Sequence, residues 1–461
     1  MRKLIAVLCV LSILVASCII IITPAWASEG SWTTKTRMGL TKTGFGVGVV
    51  DGKIYVIGGH PYGGESHEVT IDDNSEYDPA TDRWASKSSM PGPLAWFGTA
   101  VYQNEIYVIG GAWFLMGTEV SDVRVYNPAT DTWTSRASMP TARATAQANI
   151  VDGKIYVIGG EKNGEVINVN EVYDPVTDTW ATRTPIPTPV SGYASAVVDG
   201  KIYVISGLTP VANSTSTSLV SLNQIYDPKT DTWSLGEPLP ETQNAISAGA
   251  TTGVMASKRI CVIGDGLNQI YDPANDSWTV GAPIPNSANR MKNFADVVVA
   301  VVDDQLYAMG GVYAEGDSRY SVNEQYTPTG YGTVPPEISV ASPENKTYTA
   351  SNVSLAFTMN KPASWMGYSL DGKEEVTITG NTTLTELANG SHSLTVYAND
   401  TDGNTGVSDT IYFSVAKETE TEPEPSPAIW VATAIAIAAV TGVVSLAAYY
   451  VRRKRATQTV Q

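Results

Sequence analysis

Short apolar segments recur between residues 31 and 330, separated by polar turn residues. The clearest form is GKIYVIGG, a run of β-branched and aromatic residues that ends in two glycines. Runs of this length and composition are typical of strands buried on both faces. The preceding residues read VVDG, and Asp-Gly between two apolar runs predicts a tight hairpin turn. The pattern therefore predicts many short antiparallel strands.

A second motif, YDPATDRW or a near copy, follows each apolar run. Asp-Pro ends a strand, the Asp side chain can bond the turn amides, and Trp begins the next strand. Successive copies are 45 to 53 residues apart, as marked by Trp84, Trp133, Trp180, Trp233 and Trp278. A period near fifty with a Gly pair, a Tyr and a Trp predicts the blades of a β-propeller.

These motifs, in this register, resemble the kelch repeat over roughly residues 31–330, and the resemblance implies a six-bladed kelch β-propeller. The last repeat reaches Tyr326 but lacks a Trp strand after it. The stretch Ser31–Met38 has the Trp strand but no YDP motif before it. We therefore predict that the N-terminal stretch completes the last blade and closes the ring, which hides two strand edges.

Beyond the repeats, residues 334–416 alternate polar and apolar positions over short runs, which predicts a β-sandwich. This segment resembles the Ig-like modules of bacterial and archaeal surface proteins. Residues 417–427 are acidic and Pro-rich, as in an extended spacer. The predicted fold class is all-β: a six-bladed kelch β-propeller followed by an Ig-like β-sandwich and a single transmembrane helix.

Both chain ends predict contact with a membrane. Residues 1–27 have a basic start, an apolar run and Ala25-Trp26-Ala27, which predicts a signal peptide. A lipoprotein cleavage box ending at Cys18 is the alternative. Residues 428–451 carry no charge and could span a bilayer, and the basic residues 452–461 would stay in the cytoplasm. The propeller and the sandwich would then be extracellular. A sorting signal removed after export is the alternative for this end.

Charge and cysteine content narrow the function classes. The formal net charge is −17, which disfavours nucleic acid as a partner because phosphate binding needs clustered Lys and Arg. Cys9 and Cys18 lie in the signal segment, which leaves Cys261 alone. Cys261 replaces a strand Tyr in RICVIGDG and is predicted to be a buried core residue.

No cofactor or metal is predicted. Galactose oxidase is a kelch enzyme with copper, but His60 and His67 fall in one loop and no Cys is placed to crosslink a Tyr. The NDTDGNTG segment from Asn399 has oxygen ligands suited to calcium, yet Asp-Gly is also a hairpin turn. No phosphate loop, zinc spacing or nucleophile elbow is visible. An enzyme is therefore disfavoured.

Seven N-x-Ser/Thr sequons are candidates for glycosylation, and five of them fall in the predicted sandwich. They are Asn213, Asn275, Asn345, Asn352, Asn381, Asn389 and Asn399. Their clustering near the membrane predicts a glycosylated stalk.

Loops on one face of the propeller carry the least repetitive residues and are predicted to bind a ligand. The candidates are Lys42, Tyr62, Trp96, Trp113, Arg143, Tyr193, Asn244 and Arg290. The three cations suggest an anionic ligand such as an acidic sugar. The predicted function is a cell-surface binding or adhesion protein that recognises an extracellular glycan or protein. A sugar mutarotase of the sialic-acid type and a structural envelope component are the alternatives.

Overall fold

The structure, a computed structural model, describes residues 29–61, 70–113, 119–243, 246–285, 297–315, 318–417 and 427–456. Residues 29–336 form one compact unit built from short antiparallel strands. In chain order these are β1 (Ser31–Thr34), β2 (Lys42–Thr43), β3 (Gly46–Val50), β4 (Lys53–Pro61), β5 (Ile71–Asp78), β6 (Arg83–Lys87), β7 (Gly98–Tyr102), β8 (Glu105–Ile109), β9 (Val123–Asn127), β10 (Thr132–Arg136), β11 (Gln147–Val151), β12 (Lys154–Ile158), β13 (Glu161–Lys162), β14 (Glu165–Val166), β15 (Asn170–Asp174), β16 (Thr179–Thr182), β17 (Ala194–Val198), β18 (Lys201–Ile205), β19 (Leu208–Pro210), β20 (Thr217–Leu219), β21 (Asn223–Asp227), β22 (Thr232–Gly236), β23 (Ser247–Ala250), β24 (Ile260–Gly264), β25 (Leu267–Asp272), β26 (Ser277–Val280), β27 (Val297–Val302), β28 (Gln305–Glu315) and β29 (Ser318–Thr327).

Five sheets each contain four strands from consecutive chain segments, and β2 adds a short fifth strand to the first sheet by pairing with β4. They are β3-β4-β5-β6, β7-β8-β9-β10, β11-β12-β15-β16, β17-β18-β21-β22 and β23-β24-β25-β26, numbered here as blades 1 to 5. The first strands of successive sheets contact one another around a closed ring that runs β3, β7, β11, β17, β23, β27 and back to β3. This is a six-bladed propeller, as predicted.

The sixth blade joins the two ends of the propeller. Its order is β27-β28-β29-β1, so the N-terminal strand is the fourth strand of the last blade. Trp32 lies opposite Tyr326 in this pairing, and its Nε1 donates to the carbonyl of Ala282 in blade 5 at 2.6 Å. The predicted closure is confirmed.

A hydrogen-bonded latch joins each blade to the next. The second Asp of the YDPxTD turn accepts the hydroxyl of the Tyr in its own blade, as in Tyr126 to Asp131 at 2.6 Å. The same carboxylate oxygen accepts the amide of Ser88 from the preceding blade at 2.9 Å. The arrangement repeats at Asp82, Asp178, Asp231 and Asp276. At the closing seam, the carbonyl of Glu29 takes the place of the carboxylate and accepts from Tyr326 at 2.7 Å.

A second compact unit begins at Glu337 and consists of two sheets and one helix. Its elements are β30 (Ile338–Ser342), β31 (Thr347–Tyr348), β32 (Val353–Met359), β33 (Trp365–Leu370), β34 (Val376–Ile378), β35 (Thr382–Leu384), β36 (Gly390–Asn399), β37 (Thr405–Val407), β38 (Ile411–Val415) and α1 (Pro427–Ala456). The sheet β30-β32-β35 and the sheet β31-β38-β36-β33-β34 share one buried apolar cluster. The Ig-like assignment and the boundaries 334–416 stay predictions.

Helix α1 covers the apolar segment predicted to span a membrane. Residues Ala434–Arg453 are long and apolar enough to cross a bilayer, judged by length and composition. The predicted signal peptide at residues 1–27 lies outside the described residues, as does most of the predicted spacer at residues 417–427.

Candidate functional site

Two kinds of loop emerge on the same face of the propeller. The strands of a blade alternate in direction, so the loop from the second to the third strand and the loop to the next blade lie at one end. We call this end the loop face. The turns between the first and second strands and between the third and fourth strands lie on the opposite face. The five predicted ligand residues that the structure describes, Lys42, Trp96, Trp113, Arg143 and Tyr193, fall in segments of the loop face.

A partial collar of backbone hydrogen bonds links blades 1 to 4 at the loop face. Gly44, Trp96, Thr145 and Gly192 occupy matching places in blades 1 to 4, with φ of 61°, 56°, 56° and 56°. Each N–H donates to the carbonyl of the preceding member, at 2.7 Å for Trp96, 2.8 Å for Thr145 and 3.0 Å for Gly192. Two non-glycine residues therefore hold the left-handed conformation here, which costs about 1–3 kcal/mol each and often marks a functional site.

A cavity of about 120 Å³ opens inside this collar. Its walls combine aromatic rings with small neutral polar groups. The side chains that line it include Phe45, Trp96, Phe97, Thr99, Thr145, Gln147, Tyr193, Ile246 and Ser247. Ligand sites for whole small molecules usually measure about 300–1,000 Å³. A cavity of this size would take only one small group of a larger partner.

Trp96 and Trp113 are the two described aromatic candidates that remain accessible. The half-buried indole of Trp96 lies over Gly44, where a side chain would meet Nε1 at 2.7 Å. Its ring centroid is 6.0 Å from that of His60. Trp113 is 56% exposed, and its carbonyl accepts the hydroxyl of Thr70 at 2.6 Å. These contacts connect Trp96 and Trp113 to loops of blade 1.

Lys42, predicted from the sequence to bind a ligand, is fully buried. Its Nζ contacts both carboxylate oxygens of Asp73 at 2.8 Å and lies 5.6 Å from the ring centre of Phe45. Burial lowers the pKa of Lys42, and the charge of Asp73 partly offsets that effect. The charge of Lys42 is thus neutralised inside the protein.

Arg143 is also buried, and its guanidinium pairs with Glu171 at 2.7 Å. Its second nitrogen donates to the carbonyl of Val157 at 2.8 Å. The matching positions of the other blades are equally buried, whatever their chemistry: Lys42, Leu94, Val190 and Gln243. The loop turns this side chain inward in blades 1 to 5, so Arg143 does not present an exposed cation at the loop face.

Tyr193 is likewise buried and serves the fold. Its hydroxyl donates to the carbonyl of Ile158 and accepts from the amide of Gln147. Burial raises the pKa of Tyr193 to about 12. The remaining candidates, Tyr62, Asn244 and Arg290, lie outside the described residues, so their part in binding stays a prediction.

Comparison with known proteins agrees with the architecture. Residues 50–265 match the model of the KLHDC2/KLHL20/DRC7 Kelch-repeats domain. The propeller is a kelch-repeat domain. Among solved structures, one titled "Structure of YjhT" superimposes with a TM-score of 0.48 at 15% identity, over 64% of this chain and 96% of that one.

Each of the curated relatives matches a short part of this chain. Halomucin of Haloquadratum walsbyi is 38% identical over 92 residues, which is 18% of this chain and 1% of that protein. Kelch-like protein terF of Aspergillus terreus is 37% identical over 84 residues, 18% of each chain. Beta-scruin of Limulus polyphemus is 37% identical over 82 residues, 17% of this chain and 8% of that one. The matched segments thus span less than a fifth of each relative.

The metal candidates were tested against the side-chain geometry. Within the described ranges, no three His, Cys, Asp or Glu side chains are grouped as a metal site requires. Asp400, in the NDTDGNTG segment, is buried and pairs with Lys361 at 2.9 Å, so an ammonium group already neutralises that carboxylate. His67 lies outside the described residues.

Cys261 has the environment predicted for it. The side chain is 1% exposed, and burial raises the pKa of its thiol to about 12. The thiol is therefore protonated at neutral pH and unsuited to nucleophilic chemistry.

The sequon asparagines are mostly accessible. Asn399 is half-buried, whereas the other six are exposed: Asn213, Asn275, Asn345, Asn352, Asn381 and Asn389. The amide oxygens of Asn352, Asn381 and Asn389 accept backbone N–H groups. A glycan attached to Nδ2 would leave these three bonds in place. Glycosylation itself stays a prediction.

Proposed function

We propose that the kelch propeller binds an extracellular glycan or protein partner through its loop face. The observation that carries this proposal is the aromatic-rimmed cavity inside the collar, with Trp96 held at a positive φ. Trp113 adds an exposed ring to the same face. Large, rigid aromatic rings supply contact area at low entropic cost, and such residues dominate binding energy at many interfaces.

The cavity favours an uncharged group of the partner. Its described lining holds neutral polar groups, such as Thr99, Gln147 and Ser247, and no charged side chain. A charge placed there would be desolvated without compensation. Since Lys42 and Arg143 are already paired internally, the support for an acidic ligand is weaker than the sequence indicated.

The alternative of a sugar mutarotase finds little support in this geometry. Mutarotation requires a general acid and a general base within reach of the substrate. Among the described lining residues, Tyr193 is the one titratable group, and its hydroxyl is buried between Ile158 and Gln147. We therefore propose recognition as the activity of this face.

We further propose that α1 anchors the chain in the cell membrane with both folded units outside. The charge pattern supports this orientation, because Arg452 and Arg453 follow the apolar segment directly and basic residues favour the cytoplasmic side. Protease added to intact cells should digest the propeller and spare the basic tail. Recovery of an intact propeller with a digested tail would contradict the orientation.

The binding proposal is tested on glycan and protein arrays. The full chain should bind a defined set of ligands, and the double variant Trp96→Ala, Trp113→Ala should lose at least tenfold in affinity. Val176 provides the matched control, because it is 79% exposed in a turn of the opposite face. If Val176→Ser weakens binding as much as the tryptophan variant, the loop face is not the binding surface.

A further inference from the structure

Pairs of tyrosine rings join neighbouring blades around the propeller. The second strand of each blade presents a Tyr to the third-strand Tyr of the next blade, as in Tyr55 with Tyr126 at 5.7 Å between centroids. The other pairs, at 5.8 to 6.1 Å, are Tyr107–Tyr173, Tyr156–Tyr226, Tyr203–Tyr271 and Tyr307–Tyr77. These five contacts cover five of the six seams between blades.

The sixth seam, between blades 5 and 6, lacks this ring pair. Blade 5 has Cys261 where the other blades have Tyr, and it faces Tyr326 in the same buried cluster. Tyr326 keeps its contact with Trp32, at 5.0 Å between ring centroids. A cavity of about 190 Å³ occupies the seam, lined by Glu29, Arg259, Cys261, Ile270, Tyr326 and Thr329. The cavity therefore lies where the missing phenol ring would be.

The size of this seam cavity suits an aromatic ring. An engineered apolar cavity of about 150 Å³ binds benzene, so the volume is sufficient for a single substituted ring. The thiol of Cys261 and the side chain of Ile270 provide apolar contacts, and sulfur next to an aromatic ring is favourable. Tyr326 offers the ring face that its counterparts in blades 1 to 5 use for a tyrosine partner.

The outer end of the cavity is polar. Arg259 lines it and pairs with Asp272 at 3.0 Å, while its side chain stays 36% exposed. In blade 1, the corresponding phenol of Tyr55 donates to a carboxylate, that of Glu76, at 2.9 Å. A phenol hydroxyl at this level of the blade thus meets charged or polar side chains. An aromatic ring with a polar group at one end and an apolar substituent at the other therefore matches both ends of the cavity.

From this juxtaposition we propose a second binding site at the seam between blades 5 and 6, selective for a phenol ring that replaces the missing tyrosine. The ring stacks on Tyr326 beside Cys261, and its hydroxyl faces Arg259. The ligand is either a free phenolic compound or a tyrosine side chain of a partner. This site is independent of the loop face and of the partner proposed for it.

The probe that tests the site is p-cresol, which is the tyrosine side chain as a free molecule. It should raise the unfolding midpoint of the full chain in detergent. It should also slow hydrogen–deuterium exchange of the peptide that contains Cys261 at least fivefold, measured by mass spectrometry. The isosteric but non-planar 4-methylcyclohexanol should do neither. N-acetyltyrosinamide separates the two sources, because its binding indicates a partner's side chain and its failure indicates free phenols.

Two variants serve as controls. They are measured in the same detergent as the natural chain, so that the same fraction of p-cresol partitions into the micelles in every sample. Cys261→Tyr restores the ring and should abolish the response to p-cresol, whereas Cys261→Ala keeps the cavity and should retain the thermal response. If the tyrosine variant fails to fold, protection of the Cys261 peptide by p-cresol in the natural chain still tests the site. Equal effects of p-cresol and 4-methylcyclohexanol, or an absence of protection at Cys261, would overturn the proposal.

Discussion

Replacing Arg143 by Ala separates a structural role from a ligand-binding role for this residue. The guanidinium and Glu171 are both buried, with side-chain exposures of 0% and 4% and a separation of 2.7 Å. The variant would leave the carboxylate of Glu171 buried with the hydroxyl of Thr141 as its remaining partner. Removing one member of a buried ion pair typically costs about 3–5 kcal/mol. We expect a loss of this size in the free energy of unfolding.

The repeat itself supplies the control. Blade 4 has Val190 in place of Arg143 and Gln224 in place of Glu171, and the Gln224 amide bonds the backbone of Thr188 in both directions. The double variant Arg143→Val, Glu171→Gln copies that arrangement. Its free energy of unfolding should lie within about 1 kcal/mol of that of the natural protein, because replacing a whole buried ion pair is often neutral. Urea titration followed by tryptophan fluorescence measures both values. An unchanged midpoint for Arg143→Ala would refute this reasoning.

Three further predictions concern closure and pH. Deleting Ser31–Thr34 should expose the edge of β29 and abolish cooperative unfolding of the propeller, whereas an unchanged melting curve would contradict the closure. Acid should destabilise the propeller, because tyrosine and backbone hydrogen bonds lower the pKa of the five latch carboxylates. Their stabilisation is present above the ordinary carboxyl pKa of about 3.9 and is lost as pH falls through the lowered values. Melting scans that extend from neutral pH to well below that ordinary carboxyl pKa should show this loss. In the second unit, the carbonyl of Ala388 and the carboxylate of Asp371 both accept hydrogen bonds from the His392 ring and raise its pKa. The stabilisation that protonated His392 provides is complete below about pH 6.5 and declines as pH rises through the raised pKa. Urea titrations at several pH values should show this dependence, and His392→Gln should remove it.

The blades could be predicted from the sequence because their signals are local. The Asp-Gly turns, the Gly pairs and the YDPxTD turns each fix a short stretch of backbone, and Asp51 and Gly52 adopt the positive φ of 50° and 72° that such a hairpin requires. Closure by the N-terminal strand was also predictable, because a missing Trp strand at one end matched a spare one at the other. The latch through Asp82 and its counterparts was missed, since the backbone amide that each carboxylate accepts lies in another blade.

The candidate site was predictable only in part, because loop conformation decides where a side chain points. Lys42 and Arg143 occupy matching positions in the loops that precede blades 1 and 3. Their carboxylate partners, Asp73 and Glu171, lie on third strands about thirty residues away, and the sequence does not reveal those contacts. Trp96 and Trp113 remain accessible because their loops do not turn these rings inward.

The proposed recognition by the loop face is tested most directly by hydrogen–deuterium exchange of the full chain with and without a ligand found on the arrays. Our account predicts slower exchange in the collar segments around Trp96, Thr145 and Gly192 and around Trp113, with no change in the turns of the opposite face. Protection confined to those turns, such as residues 79–82 and 175–178, would contradict it.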